Sequence, residues 1–357
     1  MFVTGDKLRV TVFGQSHSAE IGATIEGLPV GFRPDMEKVN EFMQRRAPGR
    51  DRFSTQRKEA DIPEIVSGLT DGVTCGAPLT MVIKNTDVKS KDYENLKVVP
   101  RPGHADYTAY MKYNGNNDIR GGGQFSGRMT APLCFAGSLA LQILEEKGIY
   151  IGAHIDSIYN AKDDRFCPTK VTKELLDDVK AKEFPVLNDF SRVKMEAEID
   201  RARENGDSVG GCIECAITGL PVGVGGPLFG GIESEISKNI FAVPAVKGIE
   251  FGAGFSVSGM YGSENNDPFY FDGDAIKTKT NNAGGILGGI SNGMPVIFRV
   301  AIKPTPSISK EQESVNLETG LPEKLVVKGR HDPCIVKRAV PVIEAVCAIS
   351  ILNMLED

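Results

Sequence analysis

Two long segments of the chain are apolar on nearly every side of a helix. Residues 126–147 carry almost no acidic charge before Glu145, and residues 339–355 are interrupted mainly by Glu344. A helix that is apolar all round is buried, so both segments are predicted to be central helices that are covered on several sides. Residues 190–205 are rich in charge and are predicted to form a surface helix.

Short runs of alternating apolar and polar residues, bounded by Gly, Pro and Asn, predict the strands. These runs are residues 8–13, 79–84, 212–218 and 295–302. They do not alternate regularly with helices, and no GxGxxG motif follows the first strand, which argues against a doubly wound dinucleotide fold. The pattern favours an α+β fold with sheets packed on central helices. No linker divides the chain, so residues 1–357 are predicted to form a single domain.

One pentapeptide, Gly-Leu-Pro-Val-Gly, occurs twice in the chain, at residues 27–31 and 219–223. Each copy follows a strand-like run, residues 23–26 or 213–218. Each precedes a helical pattern, roughly residues 35–46 or 232–241. The repeated order predicts an internal duplication, with a chance match of five residues as the alternative.

The composition excludes several classes of protein. With 41% apolar and 25% charged residues the chain is typical of a folded globular protein. Its formal charge of −6 argues against a nucleic-acid partner, because such proteins are usually basic. The N-terminus lacks the pattern of a signal peptide, and no apolar run is long enough to span a membrane. We therefore expect a cytoplasmic protein without a membrane partner.

The seven cysteines are scattered and odd in number, which fits a reducing compartment better than a disulfide framework. Only Cys212 and Cys215 have CxxC spacing, within a strand-like run that has no second cysteine pair or nearby histidine. A zinc site there would need ligands that the sequence does not show, so no metal is predicted. Metal or redox chemistry at this pair is the alternative.

Positive charge is concentrated locally although the chain is acidic. Five arginines fall within one short stretch and three more lie on later glycine-rich segments: Arg45, Arg46, Arg50, Arg52 and Arg57, then Arg101, Arg120 and Arg128. Guanidinium groups pair bidentately with phosphate and carboxylate, so the pattern favours a small anionic ligand over a polyanion. Solvated surface arginines are the alternative.

Two of the four histidines lie on turns that can present an imidazole to a cleft. His17 follows the first predicted strand in the run GQSHS, and His104 lies in the run RPGHAD. An unperturbed histidine has a pKa of about 6.5 and exchanges protons near neutral pH. Both side chains are predicted to donate or accept protons on a multiply anionic molecule. The alternative is that each only caps or hydrogen-bonds its own loop.

Four further segments carry residues suited to binding or proton transfer. Residues 120–126 place three glycines before the first central helix, where backbone N–H groups and a positive helix end suit phosphate. Residues 281–293 are so rich in glycine that a bulky group is expected to approach the backbone. Residues 303–307 add a lysine and two hydroxyls, and residues 329–334 place Asp332 beside an arginine and a histidine. Tight packing and helix capping are the alternatives.

In this order the segments resemble the chorismate synthase family, from about Gly5 to Ile351. The family's RPGHAD, NxAGGxxGGIS and GRHDPC segments are intact at residues 101–106, 281–291 and 329–334. The resemblance implies a 1,4-anti elimination of phosphate from 5-enolpyruvylshikimate 3-phosphate to give chorismate, with reduced FMN required although no net oxidation occurs. It also implies a β-α-β sandwich, with central helices between antiparallel sheets and internal pseudo-twofold symmetry, and a homotetramer.

The resemblance also assigns roles to individual residues. His17 would protonate the reduced flavin, His104 would assist departure of the phosphate, and Asp332 would help the flavin accept the substrate's C6 proton. The substrate or NADP side of the site would be lined by Arg45, Arg46, Arg52 and Arg128. The flavin contacts would come from Gln124, Phe125, Ser126, Pro244, Ala245, Gly288, Lys303, Pro304, Thr305, Pro306, Ser307 and Arg330.

The physical reason for a flavin is that a concerted 1,4-anti elimination is difficult, whereas an electron lent by the cofactor can help to expel phosphate. The chain departs from the family pattern in four segments: GQSHS replaces GESHG, Gln124 replaces an arginine, Met129 replaces a glutamate, and Gly226 replaces an acidic residue. The acid and base residues are all retained.

Two other functions are compatible with some of these features. An NAD(P)H:flavin oxidoreductase would explain the glycine-rich segments. A module that binds phosphorylated metabolites or RNA would explain the arginines, but it would leave the two loop histidines without a task. Aromatic residues make up 7% of the chain and Trp is absent, which gives base stacking little support.

Overall fold

Two antiparallel sheets account for most of the strands. The computed structural model describes residues 2–49, 59–86, 96–327 and 332–355. The strands of the first half are β1 (Val3–Thr4), β2 (Arg9–Gly14), β3 (Glu20–Glu26), β4 (Glu64–Ser67), β5 (Leu69–Thr70), β6 (Val73–Thr74) and β7 (Leu79–Lys84). The main strands of the second half are β8 (Tyr150–Ile158), β9 (Ala161–Lys162), β10 (Gly211–Thr218) and β11 (Val246–Phe251).

The remaining strands are short, apart from one that belongs to the second sheet. They are β12 (Phe269–Asp272), β13 (Ala275–Thr278), β14 (Ile286–Leu287), β15 (Ile290–Ser291), β16 (Val296–Ile302), β17 (Gln312–Val315) and β18 (Pro322–Leu325). The first sheet has the order β1-β2-β3-β7-β4 and the second β11-β16-β10-β8-β9. The other strands form two-stranded hairpins.

Most of the helices pack against the two sheets or against the central helices. They are α1 (Met36–Arg46), α2 (Asp106–Lys112), α3 (Thr130–Glu146), α4 (Lys173–Ala181), α5 (Asp189–Glu204), α6 (Ile232–Ile240), α7 (Gly262–Asn265) and α8 (Val336–Met354). Helix α3 contacts β2, β3 and β7 of the first sheet, and α8 contacts β8 and β10 of the second. The predicted α+β sandwich with two buried central helices is therefore confirmed.

The two central helices run side by side in the same direction. Arg46 donates hydrogen bonds to Thr130 at the start of α3 and accepts one from Arg338 in the first turn of α8, so both helices begin at the same end of the molecule. Further along, a Cβ at Gly137 would collide with the backbone of Ala345. This close approach requires a glycine in α3. The positive ends of two helix dipoles consequently meet near Arg46.

Strand order confirms the predicted duplication. In each half the chain forms two paired strands, a helix, two further strands and a central helix. The first half places these strands in the order β2-β3-β7-β4, and the second half in the order β8-β10-β16-β11. The repeated pentapeptide follows β3 in one half and β10 in the other. Helices α1 and α6, and then α3 and α8, occupy equivalent places.

The repeated pentapeptides also make equivalent contacts. Gly27 and Gly219 both have φ near +80°, at +85° and +79°, and a Cβ on either would collide with a backbone carbonyl two residues before the preceding paired strand. Thr74 Oγ1 donates to the carbonyl of Pro29 over 2.5 Å, and Ser291 Oγ donates to that of Pro221 over 2.6 Å. Each hydroxyl lies five residues before its strand, β7 or β16. The repeat is therefore structural and not a chance match.

Helix α1 shows how a local signal positions the site. The side chain of Asp35 accepts hydrogen bonds from the N–H groups of Glu37 and Lys38, which fixes the start of the helix. Eleven residues later the helix ends at Arg46, so its last turn places Arg46 at the start of the central helices and Arg45 against Glu344 in the middle of α8. In the described part of the chain, no helix is long and apolar enough to cross a membrane.

Candidate active site

His17 is presented by the turn between β2 and β3, as predicted. The turn is fixed by Ser16 N–H, which donates to Gly123 O over 3.1 Å, and by Ser18 Oγ, which accepts from the Gln15 N–H over 2.9 Å. The His17 side chain is largely buried. The backbone bond to Gly123 attaches this turn to the glycine run at residues 120–126.

The glycine run lies between the two predicted histidines. Gly121 and Gly122 have φ of +59° and +83°, which L-residues rarely adopt. A Cβ at Gly121 would lie 2.6 Å from His17 Nε2, and one at Gly122 would lie 3.2 Å from His104 Nε2. The absence of side chains here lets the two imidazoles approach one turn from two sides. His17 and His104 therefore belong to one site.

The expected helix end behind the glycines is displaced. A short 3-10 turn, Gly127–Met129, follows the glycine run, and α3 begins only at Thr130. Ser126 Oγ accepts a hydrogen bond from Arg128 N–H and so caps this turn. Gln124 and Phe125, predicted as flavin contacts, lie half-buried in the same connection. The turn directs Arg128 back towards the His17 loop.

His104 is held by a charged cluster on its own loop. Its Nδ1 lies 2.6 Å from Asp106 Oδ1. Arg101 contacts both oxygens of Asp106, with Nε 2.7 Å from Oδ2 and Nη2 2.8 Å from Oδ1, and donates through Nη1 to Ser307 Oγ over 3.0 Å. Burial would raise the pKa of Asp106, but hydrogen bonds from Arg101 and His104 outweigh it and hold the pKa well below its usual value.

The segment of residues 303–307 lies beside the His104 loop, as the resemblance implied. Lys303 Nζ donates to the carbonyl of Gly103, and the Lys303 N–H donates to Ala245 O over 2.9 Å. Ala245 has φ of +75°, a strained conformation for a residue with a Cβ. Burial and the nearby charge of Lys247 lower the pKa of Lys303. Pro244 adjoins Ala245 in the chain, and Pro306 lies against Gly103, so both prolines are near the His104 loop.

Arg46 and Arg128 share one buried carboxylate. Arg46 Nη1 lies 2.5 Å from Asp61 Oδ2, and Arg128 Nη1 pairs with Asp61 Oδ1. Arg128 Nε also lies 3.2 Å from Glu59 Oε2 and donates to Asn85 Oδ1 over 3.0 Å. Burial acts to raise the pKa of Asp61, but the two guanidinium groups lower it below its ordinary value. Asn85 in turn donates to the backbone of the His17 turn, so this cluster adjoins the site.

Each predicted anion-binding arginine that lies in the described residues already has a carboxylate partner. Besides the pairs above, Arg45 contacts the fully buried Glu344 over 2.5 Å, and Arg120 contacts Asp118 over 2.8 Å. Arg45, Arg46, Arg101 and Arg128 are therefore buried or half-buried members of ion pairs, whereas Arg120 pairs with Asp118 at the surface. Arg45 joins α1 to α8, because Glu344 lies on α8. Glu344 also accepts a hydrogen bond from the Ala153 N–H, which links both helices to β8. Arg50, Arg52 and Arg57 lie outside the described residues.

Asp332 joins the same region through Arg338. Arg338 Nη1 lies 2.7 Å from Asp332 Oδ2, and its Nε donates to the backbone carbonyl of Arg46 over 3.1 Å. The third predicted proton-handling group is therefore next to the arginine cluster. Arg330 and His331 of the same motif lie outside the described residues. Pro333 O accepts from the Val209 N–H, and Ser208 Oγ donates to Thr305 O, which links this loop to residues 303–307.

Gly288 is the one predicted flavin contact that the described contacts do not bring to this region. It lies at the tip of the β14–β15 hairpin, and neighbouring Gly289 accepts a hydrogen bond from Ile232 at the start of α6. Ala245 follows the other end of α6. A nine-residue helix separates the two by about 13 Å along its axis.

Several residues of the region were not predicted to act in it. Asp61, Asn85 and Arg338 connect the predicted residues to one another. A polar residue directly after a strand, such as Asn85 after β7, is a usable sequence signal for a site. The pairing of Asp61 with two distant arginines has no signal in the sequence.

Three buried polar atoms in this region have no hydrogen-bond partner among the described residues: Ser16 Oγ, Arg128 Nη2 and Thr305 Oγ1. Buried polar groups are normally paired, so these atoms are suited to take a polar ligand. They lie beside His17, beside the shared carboxylate and beside Lys303 respectively.

The CxxC pair was the alternative place for metal or redox chemistry. Burial raises the pKa of its first cysteine, Cys212, to about 12 and favours the protonated thiol.

The geometry of the site is suited to acid and base chemistry on a small, anionic molecule. Two imidazoles flank one glycine turn, and arginines and the starts of two central helices lie beside them. Comparison with known proteins makes the class specific. The family model for chorismate synthase matches residues 8–355, and the chain belongs to the chorismate synthase family.

Individual relatives agree along the whole chain. The chain is 45% identical over 355 residues to the chorismate synthase of Korarchaeum cryptofilum, covering 98% of this chain and 96% of that protein. It is 46% identical over 362 residues to that of Lancefieldella parvula, covering 98% and 95%. A crystal structure of a chorismate synthase superposes with a TM-score of 0.76 at 27% identity, over 98% of this chain and 92% of that one.

Proposed function

We propose that this protein converts 5-enolpyruvylshikimate 3-phosphate to chorismate by 1,4-anti elimination of phosphate. It would act as a carbon–oxygen lyase at the last common step towards the aromatic amino acids, dependent on reduced FMN without net redox change. The observation that carries the proposal is the position of His17 and His104 on two sides of the turn at Gly121 and Gly122. An elimination needs a proton removed and a leaving group protonated, and the site has groups for both.

The substrate carries two carboxylates and a phosphate, so it needs concentrated positive charge. Arg128 Nη2 is buried and has no hydrogen-bond partner among the described residues, and we propose that it takes an anionic oxygen of the substrate. Arg46 supports the same region, and the starts of α3 and α8 add the positive ends of their dipoles. Arg52 is proposed to join them, and Arg45 to hold α1 in place.

Proton handling is divided among three groups. His104, which is held by Asp106 and Arg101, is proposed to donate a proton to the departing phosphate, which then leaves with less negative charge. His17 is proposed to hold a proton for the reduced flavin. Asp332, linked to Arg46 through Arg338, is proposed to help move the substrate's C6 proton.

Residues beside the His104 loop are suited to hold FMN. Lys303 supplies a cation and Thr305 Oγ1 is a buried hydroxyl with no hydrogen-bond partner among the described residues, which fits a phosphate-bearing cofactor. Reduced FMN, when bound, supplies electron density that helps to expel phosphate and recovers it afterwards. The further contacts are proposed from Gln124, Phe125, Ser126, Pro244, Ala245, Pro304, Pro306, Ser307 and Arg330. Gly288 remains an expectation from the family alone.

Assembly and location are proposed on the family alone. We propose a homotetramer in the cytoplasm, with an NADP-binding side at Arg46 and Arg52. Size-exclusion chromatography with light scattering measures the first of these directly.

Anaerobic incubation with the substrate and reduced FMN tests the activity. We expect phosphate and chorismate to appear in equal amounts with no steady consumption of NAD(P)H. Steady NAD(P)H oxidation without phosphate release, with flavin demonstrably bound, would instead identify a flavin reductase and exclude the proposed elimination.

A further inference from the structure

The contacts around His104 determine which ring nitrogen carries the proton. Nδ1 lies 2.6 Å from Asp106 Oδ1 and 3.1 Å from Arg101 Nη2. Arginine has only donors, so Nδ1 would accept from Arg101 if unprotonated and would donate to Asp106 if protonated. The two arrangements are mutually exclusive.

Charge decides between them. An unprotonated Nδ1 would place its lone pair against a carboxylate oxygen at 2.6 Å, which is repulsive. Arg101 Nη2 carries two hydrogens, of which one donates to Asp106 Oδ1 over 2.8 Å, and Nε of the same arginine donates to Oδ2 over 2.7 Å. The contact of Nη2 with Nδ1 is 3.1 Å long, whereas the carboxylate oxygen lies 2.6 Å from Nδ1, so the carboxylate decides whether Nδ1 carries a proton. The Asp106 carboxylate is a strong hydrogen-bond acceptor at Nδ1, and only a protonated Nδ1 can donate to it.

Asp106 itself cannot turn away from the ring. Its side chain is 5% exposed, both oxygens are gripped by Arg101, and the Arg101 backbone N–H donates to Oδ2 over 3.0 Å. Arg101 is anchored in turn by Ser307. A carboxylate held on three sides presents one fixed oxygen to His104.

We propose that Asp106 is a positioning residue that fixes neutral His104 as the Nδ1–H tautomer, so that Nε2 is the atom that exchanges protons. Nε2 is the ring atom on the Gly122 side, where a Cβ would lie 3.2 Å from it. When the ring is protonated, the extra proton resides on Nε2, facing the site, while Nδ1–H stays on Asp106. The catalytic consequence rests on the proposed function, whereas the tautomer does not.

Arg101, His104 and Asp106 all belong to the RPGHAD segment. Its arginine was expected to bind an anionic ligand, but it orients the aspartate that orients the histidine. The spacing is suited to this task, because Arg101, His104 and Asp106 lie at the end of a loop and the first residue of α2. The Asp106 carboxylate is bound to Arg101 and His104, so Asp106 acts on the reaction through His104.

Nitrogen-15 NMR of histidine-labelled protein tests the tautomer without turnover. The chain has only four histidines, so the His104 resonances are assigned by comparison with His104→Gln. In the neutral ring of the wild-type protein we expect a protonated Nδ1 and an unprotonated Nε2. An Nε2–H tautomer of His104 in the wild-type protein overturns the proposal, whatever the outcome of the phosphate assay.

Asp106→Asn tests the consequence for activity. We expect kcat for phosphate release to fall by about 10²- to 10⁴-fold with KM changed less than about threefold, together with loss of the Nδ1–H signature. Asp156→Asn is the matched control, because Asp156 is also a buried aspartate paired with an arginine, Arg165, but lies on β8 and forms no ion pair with a histidine of the described residues. We expect this control to retain the wild-type tautomer and kcat. A folded Asp106→Asn protein with the wild-type tautomer and wild-type kcat would also overturn the proposal.

Discussion

The carboxylate of Asp61 forms ion pairs with two buried arginines of the site, Arg46 and Arg128. Its residue is 2% exposed, and its backbone adopts φ of +51°, which is unusual for a residue other than glycine. Arg46 and Arg128 would otherwise repel each other in a buried environment. The carboxylate thus permits positive charge to be concentrated beside the starts of α3 and α8.

We predict that Asp61→Asn lowers the free energy of unfolding by about 3–5 kcal/mol, since removal of one partner leaves buried charge uncompensated. Urea unfolding at pH 7 measures the change. Glu64→Gln is the matched control, because Glu64 pairs with Lys84 on the surface and its loss should change stability much less. Equal effects of the two substitutions would contradict the role given to Asp61.

Acid should act on the same group with a definite sign. The folded pKa of Asp61 is lowered, so its contribution is present above the ordinary value of 3.8 and is lost as the pH falls through the lower, folded value. No loss from this group is expected between pH 5 and 7.

Among the elements, β8 carries a buried histidine that links the second sheet to its outer cover. His154 Nε2 lies 2.9 Å from Glu214 Oε2 on the paired strand β10, and His154 Nδ1 lies 3.3 Å from Asp163 Oδ2. Asp163 also accepts from the N–H groups of Leu187 and Asn188, just before α5. Burial alone would lower the pKa of His154, but the two carboxylates raise it to about 8.

We predict that the protein loses about 2 kcal/mol of stability as the pH rises from about 6.5 to above 8. The charged His154 ring stabilises the fold through its two carboxylate partners, and this contribution is lost as the ring deprotonates near its folded pKa of about 8. Urea unfolding at pH 6.5, 7.5 and 8.5 measures this. In His154→Gln the dependence over this range should disappear. A wild-type protein whose stability is flat across these values would show that His154 is not charged in the fold.

The central helices could be predicted because their patterns are unambiguous, whereas β8 could not. Residues 130–146 and 336–354 are apolar on all sides, and only burial explains such a pattern. In β8, residues on both faces are buried, since α8 lies on one side and α4 on the other. A strand buried on both faces shows no alternation, so period-two reasoning misses it.

The candidate site was predictable where its residues are close in the sequence. His17, His104 and the glycine run each lie on a short motif, and their convergence follows once the strands and helices are placed. The pairing of Asp61 with Arg128 spans 67 residues, and neither partner has a local signal for the other. Such pairs depend on the tertiary fold, so the sequence alone suggested free arginines where the structure has neutralised ones.

At the scale of the whole molecule, the duplication explains where the site lies. The two halves each contribute a central helix, and the two helices run in the same direction, so the loops that precede them meet. Ser126 precedes α3 by four residues and Asp332 precedes α8 by four, so a candidate site residue lies just before each central helix. The first half adds His17 and His104, for which the second half has other residues. The site is therefore an asymmetric centre within a repeated framework.

The role of His104 in the proposed elimination is measured by the rate of phosphate release from wild-type and His104→Ala protein, side by side under anaerobic conditions with reduced FMN. We expect release by the wild-type protein and a rate about 10²- to 10⁴-fold lower in the folded variant, the usual effect of losing an acid or base. A wild-type rate in His104→Ala, or no release by the wild-type protein with flavin bound, would contradict the proposal.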